Sequence, residues 1–364
     1  MNIIPIEYYT IIYYNIVLII ILFTWIHTMS HSGFTKSTSY FNYRATLLLF
    51  TFLMIYVGLR PVHNIFVDMV SYSNMYDSVV RENHAVITTD FGFYFIMKFL
   101  SIFNSKTLFF FVLMLLYILP LYIASKRWFP KYYFFAFLIL IASFSFLAYG
   151  TNGLRNGIAT SFMILAFSYM DKKLWMYLFF FIAFSFHGSV LLPIVAYFIV
   201  TFYRSYLLYF IIWVMSIFFS MAMGSFWESF FIKLGFGKED KLLDYFKNKE
   251  FYKESFSHVG FRWDFLIYSA TAVFIAYYFI YVKKFRDKQY MRLVNIYLIT
   301  NAFWILVIRA SFSNRFAYLS WFMMGIIIIY PFLKQVYWKN QFSIIGALIF
   351  IYFSFTYVMT IFIY

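Results

Sequence analysis

An all-α protein that crosses a membrane about 12 times (11–13) is the fold this sequence predicts, from the amount and the arrangement of its apolar residues. Of 364 residues, 64% are hydrophobic and 12% charged, more apolar surface than a soluble core would hold. The apolar residues also run for a bilayer's thickness without in–out alternation, as in Ser343–Tyr364, which excludes a β-barrel. No linker, repeat or soluble-domain boundary interrupts them, so residues 1–364 read as a single transmembrane domain. Cysteine is absent, which removes disulfides, thiol catalysis and thiolate metal sites.

The expected spans lie near 8–29, 45–60, 107–125, 132–149, 157–170, 173–186, 189–203, 206–224, 263–282, 292–309, 316–333 and 342–363. The first has no basic segment before it and no small-residue cleavage site after it, so it is expected to be retained. Basic clusters at Lys126–Lys131 and Lys283–Arg292 are separated by an even number of spans and therefore share a side, the cytoplasmic one by the positive-inside rule. The net charge of +15 gathers mostly there, where it meets anionic lipid headgroups and not nucleic acid. Most carboxylates fall on the outer side. Residues 60–106 form an outer loop in which 90–104, too short for a span and carrying Lys98, reads as a re-entrant or interfacial helix. Residues 225–262 form a second outer loop. Its EDKLLDYFKNKEFYKESF alternates Leu242, Leu243, Tyr245, Phe246, Phe251 and Tyr252 with charges, the pattern of an amphipathic helix on the membrane and a candidate lid.

The chemistry concentrates in TNGLRNG and FHGS. Arg155 and His187 close the same end of two successive apolar runs whose turn carries Asp171, Lys172 and Lys173. The outward run is about 24 Å of helix and the return about 21 Å, so both residues stop short of the far side of a hydrocarbon core about 30 Å thick. Ionisable residues there point to function. A guanidinium beside a Gly/Asn break, with Asn152 adjacent and backbone N–H groups freed, suits a phosphate or diphosphate; an arginine snorkelling to headgroups is the plainer alternative. His187 fits a base, a phosphate contact or an interfacial helix end. Arg309 and Arg315, bracketing RASFSNR, can straddle an anionic headgroup or form a solvated turn. Arg60 ends the second span, and Asp68, Tyr72 and Tyr76 follow at helical spacing: Asp68 as a base for a sugar hydroxyl, the tyrosines as stacking platforms, or all three as an exposed turn. Arg262 and Asp264 are expected to pair with each other. His27, His31, His63, His84, His187 and His258 are scattered, with no metal motif.

In order, GLR, Asp68-x-x-x-Tyr72-x-x-x-Tyr76, Asp90-Phe-Gly-Phe, LRNGIA, FHGS and NRFAY resemble the EpsG-type branch of the Wzy oligosaccharide repeat-unit polymerases over roughly residues 45–330. Between Pro61 and Val67 the sequence lacks the glycine that usually precedes the acid in that family's first loop. The resemblance implies a glycosyltransferase-C-like helical bundle in the bacterial inner membrane, with its site facing the periplasm or exterior. It implies transfer of a growing glycan from undecaprenyl diphosphate to a sugar hydroxyl of another lipid-linked repeat unit, in O-antigen, capsule or exopolysaccharide synthesis. No cofactor and no metal are expected. The partners expected are the two lipid-linked substrates, the bilayer and a chain-length regulator. Arg155, Arg309 and Arg315 would stabilise the departing diphosphate, Arg60, Tyr72, Tyr76 and Asn152 would bind substrate, and His187 or Asp68 would be the base.

A flippase for the same lipids needs pseudo-repeated halves and charges along a through-path, neither of which is visible. A membrane O-acyltransferase needs a polar tunnel from the inner side, where only short basic turns occur. An O-antigen ligase shares the donor chemistry but has a larger outer loop.

Overall fold

A computed structural model describes residues 5–30, 36–82, 90–233, 260–309 and 314–363, and every regular element among them is helical. The chain packs as two compact units, Met1–Val190 with Ile329–Tyr364, and Leu191–Ile328.

The first unit opens with α1 (Tyr9–Met29) and α2 (Lys36–Tyr56), followed by the loop helices α3 (Asp68–Glu82) and α4 (Phe91–Ser101). Then come α5 (Lys106–Trp128), the short α6 (Tyr133–Ile141) and α7 (Phe144–Thr151), and the hairpin of α8 (Leu154–Ser168) and α9 (Lys173–Phe186). Ser105 caps α5 by accepting the Leu108 N–H at 3.3 Å, and Lys126 and Arg127 in its last turn suit the negative end of the helix dipole. The span expected at 132–149 is broken: α6 and α7 meet at a 68° bend at Ala142–Ser143. Arg127 fixes the α8–α9 turn. Its Nη2 donates to both Asp171 carboxylate oxygens at 2.6 and 2.7 Å, its Nε donates to the Ser168 carbonyl at 2.8 Å, and its guanidinium lies 3.9 Å from the centre of the Tyr169 ring. Slight burial works against the Asp171 charge, but the Arg127 bonds and charge outweigh it and hold the carboxyl below its usual pKa. Facing rings, Phe167 with Phe180 at 5.8 Å and Phe162 with Phe186 at 6.2 Å, zip the hairpin along its length.

The second unit contains α10 (Leu191–Phe202), α11 (Tyr206–Lys233), α12 (Trp263–Tyr277), α13 (Lys288–Leu306) and α14 (Asn314–Trp321). Asp287 caps α13, accepting the Gln289 and Tyr290 N–H groups at 2.8 Å. This helix is the unit's centre, touched by α10, α11, α12 and α14. Its buried Asn301 accepts from Trp213 Nε1 at 2.8 Å and donates to Ser320 Oγ at 3.0 Å, a satisfied polar link inside an apolar core. α15 (Met324–Lys334) leads back to the first unit, where α16 (Gln341–Val358) packs on α1.

By length and composition, six helices among the described residues can cross a membrane, or seven if α6 and α7 count as one broken span. This is a polytopic membrane protein, but the expected dozen is not reproduced. Segments counted as full spans include short helices such as α9, with 14 residues, and α10, with 12, about 21 and 18 Å long. The loop expected from 225 begins later, since α11 continues to Lys233. The amphipathic lid helix falls within 234–259, outside the described residues, as do His31, His84 and His258.

Candidate functional site

The α7–α8 elbow builds one side of the site. Here Gly157 lets α8 press on α7: a Cβ there would sit 3.0 Å from the Tyr149 carbonyl and 3.2 Å from the Tyr117 ring. The elbow sets Arg155 in the first turn of α8, with its side chain 31% exposed. From the loop side, Asp90 immediately precedes α4, and its side chain is only 5% exposed. Arg155 Nη1 forms a short ion pair with Asp90 Oδ2, and Arg155 Nε donates to the Tyr72 hydroxyl at 3.4 Å. The guanidinium carbon lies 5.7 Å from the centre of the Tyr72 ring, whose other neighbour is Phe93 at 5.2 Å. Burial raises the Tyr72 pKa and the Arg155 charge only partly opposes it, so this phenol stays neutral.

Asp90 is delivered by a tight crossing of α4 and α9. A Cβ on Gly92 would lie 2.2 Å from Ser185 Oγ and 3.0 Å from the Ser185 carbonyl oxygen. The crossing thus places Asp90, two residues before Gly92, and His187, two residues after Ser185, on neighbouring chain segments. Gly92→Ala is expected to destabilise the protein by about 1–3 kcal/mol by overpacking. Thermal unfolding of that variant checks this, with Ser185→Gly expected to restore part of the loss.

His187 ends α9 and is 7% exposed. The Ser189 backbone N–H donates to its Nδ1 at 3.1 Å, Ser189 Oγ lies 2.8 Å from the same nitrogen, and Ser189 Oγ is 2.9 Å from Asn156 Oδ1. The backbone N–H cannot rotate away, whereas the Asn156 amide can turn over. Nδ1 is therefore the acceptor, and neutral His187 carries its proton on Nε2. Because Asn156 adjoins Arg155, this chain also ties the two ends of the hairpin together.

The other expected residues divide. Asp68 begins α3, half-buried and near enough for its charge to act on the Tyr72 phenol. Tyr72 joins the cluster by touching Arg155, but at 4% exposure it offers a sugar no open face. Tyr76 does not meet solvent as a sugar platform would: it is 1% exposed, stacks on Phe109 at 4.9 Å, donates to the Leu100 carbonyl at 3.1 Å and accepts the Ser105 N–H at 3.0 Å. It staples α3 to the α4–α5 junction. Asn152 lies at the elbow with Oδ1 buried and unpartnered. Arg60 lies under Phe66, after α2. In the second unit, Arg309 donates from Nη2 to the Met221 carbonyl at 3.3 Å, beside Gly224, where α11 kinks at Met223 (φ −139°, ψ 37°). Arg315 is exposed in the first turn of α14. As expected, Arg262 grips Asp264, Nε to Oδ1 at 2.9 Å and Nη2 to Oδ2 at 2.6 Å.

Sequence reasoning missed Asp90, Asn156 and Ser189 as site residues. Asp90 was visible as an acid just ahead of an apolar helix; Asn156 and Ser189 adjoin Arg155 and His187 but look like ordinary helix-end polarity. Among the described residues, no three His, Asp or Glu side chains gather as metal ligands would. No curated protein and no solved structure matches the chain. The family model that does match, EpsG, covers residues 44–364 and includes every residue of this cluster, so the chain belongs to the EpsG family.

Proposed function

We propose that this protein is a membrane glycosyltransferase that polymerises lipid-linked oligosaccharide repeat units. Family membership supports polysaccharide-polymerase chemistry. The observation that carries the finer reading is Arg155: a buried carboxylate and a phenol hold it at a helix start, yet nearly a third of its side chain stays exposed. That is a preorganised cation for a multiply negative leaving group in a membrane.

In the proposed step, an acceptor sugar hydroxyl attacks the anomeric carbon of the donor glycan. The bond from that carbon to the lipid diphosphate oxygen breaks as the new glycosidic bond forms. The hydroxyl proton passes to a base, and the lipid diphosphate leaves with the electron pair. Arg155 stabilises the charge that develops on the diphosphate. His187, protonated at Nε2, is suited to donate to a phosphate oxygen, which leaves Asp68 as the preferred base. Asp90 is a positioning residue, since its carboxylate is engaged by Arg155. Arg309 and Arg315 are proposed as diphosphate contacts on the strength of the sequence. The donor and acceptor are undecaprenyl-diphosphate-linked oligosaccharides in the bacterial inner membrane, with the reaction on its outer face.

Purified protein incubated with a synthetic undecaprenyl-diphosphate repeat unit is expected to yield a product ladder without added nucleotide. Unreacted substrate that nevertheless crosses a liposome bilayer would replace this reading with a flippase.

A further inference from the structure

Arg60 carries a second site in the first unit. The guanidinium folds back on the end of α2, where Nη1 donates to the Val57 carbonyl, and the group lies 5.6 Å from the centre of the Phe66 ring. The residue is 5% exposed. Nε and Nη2 are buried without a hydrogen-bond partner, and no carboxylate among the described residues pairs with the group. The nearby Tyr9 and Tyr56 hydroxyls each donate to the other's backbone carbonyl, and neither accepts from Arg60 Nε or Nη2.

A guanidinium is always charged and carries five N–H donors. Buried charges are paired, and buried donors left unpaired are costly. The two empty nitrogens are not an arbitrary pair. They form the side edge of the guanidinium fork, the geometry that takes two oxygens of one oxyanion. Arg262 uses that same edge to hold both oxygens of Asp264. Arg60 presents it to no acceptor among the described residues. Phe66, whose ring faces the guanidinium, is the buried residue in a stretch whose preceding residues, Pro61–Ile65, are exposed. The guanidinium's anchor, Val57, abuts Gly150 at the end of α7, where an added Cβ would lie 3.7 Å from Val57 Cγ1. The elbow that presents Arg155 therefore also touches the Arg60 anchor.

We propose that Arg60 is a phosphate subsite, its Nε–Nη2 edge binding two oxygens of a phosphate group beneath Phe66. The phosphate comes from a lipid headgroup or from a diphosphate. The inference does not depend on Arg155 acting in glycosyl transfer.

The test is thermal unfolding of the detergent-purified full chain titrated separately with inorganic pyrophosphate, a polyprenyl diphosphate and phosphatidylglycerol. Wild type is expected to gain a few degrees with at least one of them. Arg60→Met is expected to lose that gain while unfolding, ligand-free, at or above the wild-type temperature, because a buried unpaired charge has been replaced by apolar volume. Phe66→Ala is expected to respond at a lower ligand concentration, and Phe66→Ala with Arg60→Met not at all. A response to both diphosphates identifies the diphosphate as ligand, and a response to phosphatidylglycerol alone identifies the headgroup. The proposal is overturned if no phosphate shifts wild type, or if Arg60→Met responds as wild type does. It is also overturned if Phe66→Ala loses the response, which would make Arg60 only a cap on α2. Polymer formation is scored separately, so none of these outcomes bears on the polymerase reading.

Discussion

Arg155→Lys is expected to lower the rate of glycan polymerisation about 100- to 1,000-fold while the protein stays at wild-type abundance. That is the range seen when one preorganised donor to developing charge is removed. Lysine keeps the charge, but an ammonium cannot hold Asp90 and Tyr72 through separate fixed nitrogens while presenting a planar face to a diphosphate. The stem is shorter and its point charge settles on Asp90, the nearest carboxylate. The measurement is a product ladder from purified protein, with membrane abundance scored in parallel. Wild-type chain lengths from Arg155→Lys would remove this residue from the mechanism.

Truncating Arg155 has a second large effect, on stability. The two partners are buried unequally, Asp90 at 5% and Arg155 at 31% exposure. Arg155→Ala strands a buried carboxylate, whereas Asp90→Asn leaves an arginine that solvent still reaches. Breaking a fully buried pair costs about 3–5 kcal/mol. Arg155→Ala is expected near the lower end of that range, and Asp90→Asn clearly below it. The double variant, Arg155→Ala with Asp90→Asn, is expected to recover much of the stability and none of the activity, because the stranded charge is gone but the cation is still missing. Denaturation of the four proteins checks this. If Asp90→Asn were the more destabilising single change, the burial argument would be wrong.

The ends of the α8–α9 hairpin were legible in the sequence because charges are rare in an apolar chain, and Arg155, Asp171 and His187 mark its corners. The all-helical class followed from apolar runs of bilayer length without in–out alternation. The count of spans did not. Hydropathy reads composition along a line, whereas the 68° break at Ala142–Ser143 and the short α9 and α10 are set by packing. Within the site, Arg155, Tyr72 and Asp68 could be proposed from residue type and spacing. Asp90 could not be assigned to Arg155, because 65 residues separate them and they meet through the packing of α4 on α9, at Gly92 against Ser185 and Phe91 against Phe181. Tyr76 shows the converse. It shares the spacing of Tyr72, but one turn along α3 moves it from the cluster into a buried staple. Asn156 and Ser189 gain meaning only through His187, whose tautomer depends on a backbone N–H that no motif displays.

The most direct measurement is the stoichiometry of the transfer. Purified protein is given a synthetic undecaprenyl-diphosphate repeat unit, and released lipid diphosphate is counted against new glycosidic bonds. One lipid diphosphate per linkage, with both falling together in Arg155→Lys, is the predicted result. Linkages without diphosphate release, or release undiminished in Arg155→Lys, would contradict a polymerase whose leaving group is stabilised by that arginine.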